Sequence, residues 1–212
     1  MLKIKITRNK IIVILSIILI AVSIFIKIND IYSIKKEKQK DKKIVNEIIN
    51  NKEVEITSNA VNNGEIDAKN TKSNYIAVLE IPKIGLKKGL VMATKNFKSI
   101  NYAISIDQNS IMPDMIGNFI LYAHSGNSKI AYFDKLDRLK INDEVNVFYN
   151  NLWYTYNIIN IYEVNKIGSI PIYNDSESKY ITLTTCSQKN KGKQIIIIGK
   201  ESKRWMILKI IK

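Results

Sequence analysis

The sequence predicts a mainly β domain, its short strands closed into a barrel, carried behind an N-terminal apolar helix and a polar linker. Three observations carry this. Short runs rich in β-branched and aromatic residues recur from Ile76 to Ile198, with turn signals between them. Ile11 to Ile26 is apolar apart from Ser16 and Ser23 and is bracketed by Lys10 and Lys27. Glu53 to Asn74 is polar, carries Gly64 and reads as a flexible spacer.

Composition sets the bounds. A chain of 212 residues with 46% hydrophobic content accommodates one ordinary domain plus appendages. The net charge of +14 is spread over every part of the chain. No zinc-finger, Gly-rich phosphate or RNA-binding motif accompanies it, so a lysine-rich solvated surface is the reading and nucleic acid is not expected as a partner. A single cysteine excludes an internal disulfide framework and a multi-cysteine metal site. No cofactor is indicated, calcium activation included.

Residues 1–10 form a basic tail. The apolar run that follows is just under a usual helical span, and its flanking lysines can snorkel to lengthen it. No small-residue cleavage site follows, which predicts an uncleaved transmembrane signal anchor over residues 11–28. Lys27, Lys35, Lys36, Lys38, Lys40, Lys42 and Lys43 follow the span, against Lys3, Lys5, Arg8 and Lys10 before it. That count does not predict an inside N-terminus. Residues 29–74 are stalk and linker. Ile31 to Asn50 is charged with intermittent isoleucines, which suits a helical stalk or a membrane-surface segment.

The domain is expected over residues 75–200. Ile76 to Ile81 alternates as a strand and stops at Pro82. Lys83 to Val91, interrupted by Gly85 and Gly89, is a broken strand. Asn96 to Tyr102 is a short helical turn, Ile104 to Asp114 a loop, and Asn118 to Ala123 a strand. Ile130, Phe133, Leu136 and Leu139 predict an amphipathic helical turn or two, their apolar side packed inward. Glu144 to Tyr149 and Leu152 to Tyr162 form a hairpin across Asn150-Asn151. Tyr180 to Cys186 and Gln194 to Ile198 form another across a loop containing Gly192. Residues 201–212 are a basic, apolar tail, too short to span a membrane.

Cys186 closes one strand of the last hairpin, and Gln194 opens the other, roughly opposite. Thr182, Thr184 and Cys186 share one face, and Ile181, Leu183 and Thr185 the other. The only histidine, His124, also ends an apolar strand, in Gly117-Asn-Phe-Ile-Leu-Tyr-Ala-His124-Ser-Gly126. A thiolate needs a neighbour that shares its proton, and an imidazole does this. A lone cysteine is as often a buried core residue.

Thr182-Leu-Thr-Thr-Cys186 resembles the TLxTC signature of sortases, the cysteine transpeptidases of Gram-positive cell surfaces. The segment from Gly117 to Gly126 resembles their histidine strand. Leu79-Glu-Ile-Pro-Lys-Ile-Gly-Leu86 resembles the opening strand of their barrel, and Phe133 to Glu144 the segment after the histidine. The resemblance covers about residues 75–200. It implies an eight-stranded sortase-type β-barrel with short helices, an N-terminus inside and a catalytic domain outside the cell membrane.

The implied reaction is acyl transfer. Cys186 attacks the Thr–Gly bond of an LPxTG-like sorting signal on a surface protein. An amine of a cell-wall precursor or a pilin then resolves the thioester, and His124 moves the protons. Thr185 holds substrate or contributes backbone to the oxyanion site, or is an inward packing residue. Sortases usually carry an arginine at the start of the strand after the cysteine. Here that position is Gln194, with Lys193 beside it, and the only arginines are Arg8, Arg138 and Arg204. Arg204 would serve only if Trp205 to Ile211 were the final strand. The short Asn165–Lys179 connection argues against class B. The absence of a DPW- or DPF-like lid and of a second transmembrane run argues against class C. The alternatives are a hydrolytic cysteine peptidase on the same two residues, or a catalytically weak, surface-tethered β-domain that binds sorting peptides.

Overall fold

A computed structural model describes residues 8–50, 75–95, 98–167, 173, 175 and 177–206. The start of the basic tail, the spacer over 53–74 and the apolar end at 207–212 fall outside these residues. The chain divides into two units, residues 1–40 and 41–212. The first is helical. Its helix α1 (Arg8–Asn50) is long and apolar enough to cross a membrane. Ile12, Leu15, Leu19 and Phe25 are all exposed around its circumference, a pattern that suits lipid rather than a protein core. The helix continues through the charged stretch after Ile31.

In the second unit, eight strands close into a barrel. They are β1 (Ala77–Ile81), β2 (Leu86–Met92), β3 (Ile104–Ile106), β4 (Gly117–Tyr122), β5 (Glu144–Tyr149), β6 (Leu152–Asn165), β7 (Lys179–Cys186) and β8 (Lys193–Met206). Around the barrel the order is β1-β2-β3-β4-β7-β8-β6-β5. The fold expected from the strand pattern and from the family resemblance is therefore the one observed. Two pairings are parallel, β2 with β3 and β4 with β7; the rest are antiparallel.

Alternation fills the interior. Leu79, Ile81, Leu90, Phe119, Leu121, Val145, Val147, Ile181, Leu183, Ile195 and Ile197 point into one core. The run Ile195–Ile198 is buried on both faces, because Ile196 and Ile198 pack outside the barrel with Tyr180, Tyr162 and Val164. That explains a continuous isoleucine run where alternation would be usual. β6 and β8 are each 14 residues long and pair along their whole length, with register shifts at Thr155/Tyr156 and Ile158/Asn160. Such bulges bend a long strand around a closed barrel.

Three expectations change. Ile104–Ile106 is a strand rather than a loop; three residues are too short to show a period, and it exists because β2 and β4 pair on either side of it. The amphipathic segment before Leu139 shortens to a 3-10 turn at Leu136–Arg138, although Phe133, Leu136 and Leu139 are buried as expected. β8 extends past Lys200 to Met206, because β6 supplies partners that far.

The end of α1 belongs to the barrel unit. Val45 packs on Val78, Phe148 and Trp153. Asp41 is 4% exposed, accepts a hydrogen bond from the Tyr75 hydroxyl at 2.8 Å and is ion-paired with Lys88. The Tyr75 ring lies against Gly89, where any Cβ would collide with it at 2.1 Å. A buried carboxylate held this way costs little while its partners are present, but losing it strands a largely buried ammonium. Asp41→Ala should destabilise the full chain by about 1–3 kcal/mol in urea denaturation. An unchanged midpoint would show that the helix end contributes nothing to the barrel.

Candidate active site

Strand register builds the site. Gly117 pairs with Lys179 and Tyr122 with Thr184 across the parallel β4–β7 ladder. The Ala123 amide continues it, donating to the Thr184 carbonyl at 3.4 Å. The Ser125 hydroxyl then donates to the Cys186 carbonyl at 2.6 Å. Carried two residues past its last pair, the same register sets His124 beside Cys186. On the other side, Cys186 pairs with Gln194 across the antiparallel β7–β8 ladder. His124, Cys186 and Gln194 thus stand in one row across neighbouring chain segments, with strand axes about 4.8 Å apart.

Two hydroxyls lace the histidine and cysteine segments together. Thr185 is buried, and its hydroxyl donates to the Ala123 carbonyl at 2.7 Å. Ser125 makes the reverse crossing onto Cys186. The residues flanking His124 are thereby tied to the chain around the thiol. The Thr185 side chain is the inward residue of the two alternatives raised by its sequence position. Its hydroxyl is committed to the protein, which leaves only its backbone for an oxyanion.

His124 Nε2 meets Asn101 Oδ1 at 3.2 Å, at the end of the 3-10 turn Lys98–Asn101. With the proton on Nε2 the ring donates to this amide oxygen and keeps a lone pair on Nδ1. The His124 carbonyl is fixed as well, accepting from the Phe133 amide at 3.0 Å. Cys186 itself is a free, half-buried thiol.

The loop after the cysteine is held by one carboxylate. Glu163 accepts from the Ser187 hydroxyl and from the Asn190 side-chain amide, both at 2.7 Å. Gln188 donates to the Asp134 carbonyl at 2.6 Å, and Gly192 turns the chain with a φ of 82°. The donors from Ser187 and Asn190 hold the Glu163 carboxyl below the ordinary glutamate range.

The outer face beside the row forms a floor. Tyr122, Thr184, Ile196 and Tyr162 lie side by side across β4, β7, β8 and β6. Burial, reinforced by the charge of Asp107, pushes the Tyr122 hydroxyl up to about 12, so this floor is uncharged at neutral pH. Further along, the connection into β7 is anchored on the same face. Tyr173 accepts through its carbonyl from Asn118 at 2.8 Å and packs on the Tyr180 ring. Asp175 accepts from the Tyr180 hydroxyl at 2.6 Å.

The sequence-derived site residues do not all converge. Cys186, His124 and Gln194 do. Lys193 opens β8 on the opposite face from Gln194, because adjacent strand residues alternate, and it is exposed. Arg204 does lie in the final strand, but it pairs with Tyr154, stacks over that ring at 5.0 Å and contacts Glu201 at 3.4 Å. It is ten positions along β8 from Gln194. Asn101, Ser125, Glu163 and Asn190 were not singled out from sequence. Only Ser125, next to the histidine, carried a positional signal.

Residues 79–202 match the family model described as the Sortase domain. Sortase A of Bacillus anthracis is 25% identical over 129 residues, which is 60% of this chain and 60% of that protein. The match thus spans less than two thirds of that relative's length. Among solved structures, a Clostridium perfringens sortase D5 transpeptidase is similar at 23% identity and a TM-score of 0.54, covering 67% of this chain and 91% of that one. Sortase C of Streptococcus pneumoniae follows at 18% and 0.57, covering 70% and 83%. Sortase A from Corynebacterium diphtheriae gives 19% and 0.55, covering 61% of each chain. At these identities the structures establish a shared fold.

The Glu163 clamp has a pH signature. A carboxyl whose folded value is lowered stabilises above its unfolded value, and that contribution is lost as pH falls through the lowered one. Amide NMR shifts of Ser187 and Asn190 should therefore titrate together with a midpoint below the ordinary glutamate range. Glu163→Gln should abolish that titration; its persistence in the variant would assign it to another group.

Proposed function

The chain belongs to the sortase family, and on that premise we propose that it is a membrane-anchored cysteine transpeptidase using Cys186 as nucleophile and His124 as proton carrier. The observation that carries this reading is the row of His124, Cys186 and Gln194 set by the register of β4, β7 and β8. The substrate class is a surface protein bearing an LPxTG-like sorting signal. The acceptor is an amine of a cell-wall precursor or a pilin.

The steps follow from the groups in the row. The thiol gives its proton to Nδ1 of His124, and the sulfur forms a bond to the threonine carbonyl carbon of the signal. Negative charge moves to the carbonyl oxygen, where the Gln194 amide hydrogens supply donors. The C–N bond to glycine then breaks, and the departing amine takes the proton from His124. A thioester remains on Cys186. The incoming amine attacks it and loses a proton to His124, and the sulfur leaves as the new amide forms. A neutral amide in place of a guanidinium provides direction without full charge, so the expected enzyme is slower than one with arginine.

The anchor places the domain at a membrane surface, and the family premise puts that surface outside the cell. The basic residues around α1 do not dictate this orientation. A subclass other than B suits the short connection between β6 and β7.

The test is intact-mass spectrometry of the full chain in detergent with a panel of LPxTG-like peptides. A mass gain equal to the peptide's N-terminal part, absent in Cys186→Ala and discharged by added amine, is expected. Discharge by water alone, indifferent to amine, would make the protein a peptidase. Binding of peptide with no adduct would make it a recognition module. His124→Ala should slow adduct formation by about 100- to 10,000-fold.

A further inference from the structure

Among the residues around the row, Thr184 has no assigned role. It occupies the position that the TLxTC signature leaves open. The three threonine hydroxyls of β7 go to three different places. Thr182 donates to Asn118 Oδ1 at 2.9 Å, Thr185 to the Ala123 carbonyl at 2.7 Å, and Thr184 to Gln194 Oε1 at 3.3 Å. The first two join β7 to β4 and to the chain just beyond it. The third reaches diagonally across the β7–β8 ladder, since Thr184 itself pairs with Ile196 and Gln194 with Cys186.

In the orientation the structure shows, that diagonal takes the oxygen of the Gln194 carboxamide and leaves its NH2 free. Thr184 is 9% exposed and Ile196, its ladder partner, is fully buried, so water does not compete freely for the hydroxyl hydrogen. The amide oxygen takes it. Among the described residues no protein acceptor takes the amide NH2, so the half of the carboxamide left free is the donor half. An unrestrained glutamine presents oxygen or nitrogen with similar ease, and an oxygen facing a developing oxyanion would oppose the reaction. An arginine needs no such device, because every polar atom of its guanidinium is a donor.

We propose that Thr184 is a positioning residue that locks the Gln194 amide with its NH2 toward the substrate carbonyl, so that the Thr184–Gln194 pair together takes the place of the arginine. This rests on the transpeptidase reading above. It predicts that position 184 needs a hydroxyl when position 194 is glutamine and does not need one when position 194 is arginine.

The test is a double-mutant cycle on the rate of acyl-adduct formation in the full chain, with urea midpoints measured alongside. Thr184→Val should slow acylation about 10-fold through kcat rather than KM, while Thr184→Ser restores the rate. In a Gln194→Ala background the same Thr184→Val change should cost nothing further, and in Gln194→Arg it should be silent. Equal losses in all three backgrounds would overturn the pairing and leave Thr184 a packing residue. If Thr184→Val does not fold, Thr184→Ala enters the same cycle. A wild-type chain that never acylates would overturn the transpeptidase reading itself. A fully acylating chain indifferent to Thr184→Val and Thr184→Ala would overturn the pair alone.

Discussion

The parallel pairing of β4 with β7 is the constraint on which the site depends. His124 and Cys186 lie far apart in sequence, and neither strand alone says anything about the other. Six consecutive pairs fix the ladder, from Gly117–Lys179 to Tyr122–Thr184. Because strand side chains alternate with a period of two, a slip by one residue would turn the cysteine away from the histidine and the isoleucines away from the core. Core packing therefore enforces the same register that the chemistry needs. Phe119, Leu121, Ile181 and Leu183 point inward, and with them in place the residues beyond each strand end have one relative placement.

Hydroxyl groups then carry the order from the ladder into the irregular chain at its end. Thr185 and Ser125 cross between segments in opposite directions, each ending on a backbone carbonyl. Glu163 does the same for the loop after the thiol by taking two donors at once. Asn101 holds the far nitrogen of the imidazole. Such contacts have modest net worth individually, but a buried polar group left without a partner is costly, so each constrains its neighbours strongly. The result is a half-buried thiol whose surroundings are largely occupied before any substrate arrives.

A glutamine where the family resemblance implies an arginine would change the electrostatics of the row. A guanidinium offers charge and several donors in a fixed plane, whereas a carboxamide offers two donors and an acceptor. The surroundings of Gln194 are correspondingly neutral. Ile196 and Val164 flank it, Thr184 binds its oxygen, and Lys193 faces the other way. The chain's other charge resources lie elsewhere: Arg204 is held over Tyr154, and Lys88 is held by Asp41 on the outside of the barrel.

Composition and periodicity alone determined that this chain carries an apolar helix followed by a domain of short strands, because burial imposes its period directly on residue type. The thiol and the imidazole were also legible, each being unique in the chain and sitting at the end of an apolar strand. That Gln194 stands opposite Cys186 could be read from the hairpin spacing, whereas an arginine being usual at that position is what the family resemblance implied. Other features depended on contacts between distant segments, which leave no local mark. The strand at Ile104–Ile106 exists only because two others flank it. The extension of β8 to Met206 exists because β6 runs equally far. Asn101 and Glu163 are ordinary polar residues until the barrel closes. Tertiary structure likewise set which of Gln194, Lys193 and Arg204 lies on the face of Cys186, since only alternation along a paired strand places a side chain on one face or the other.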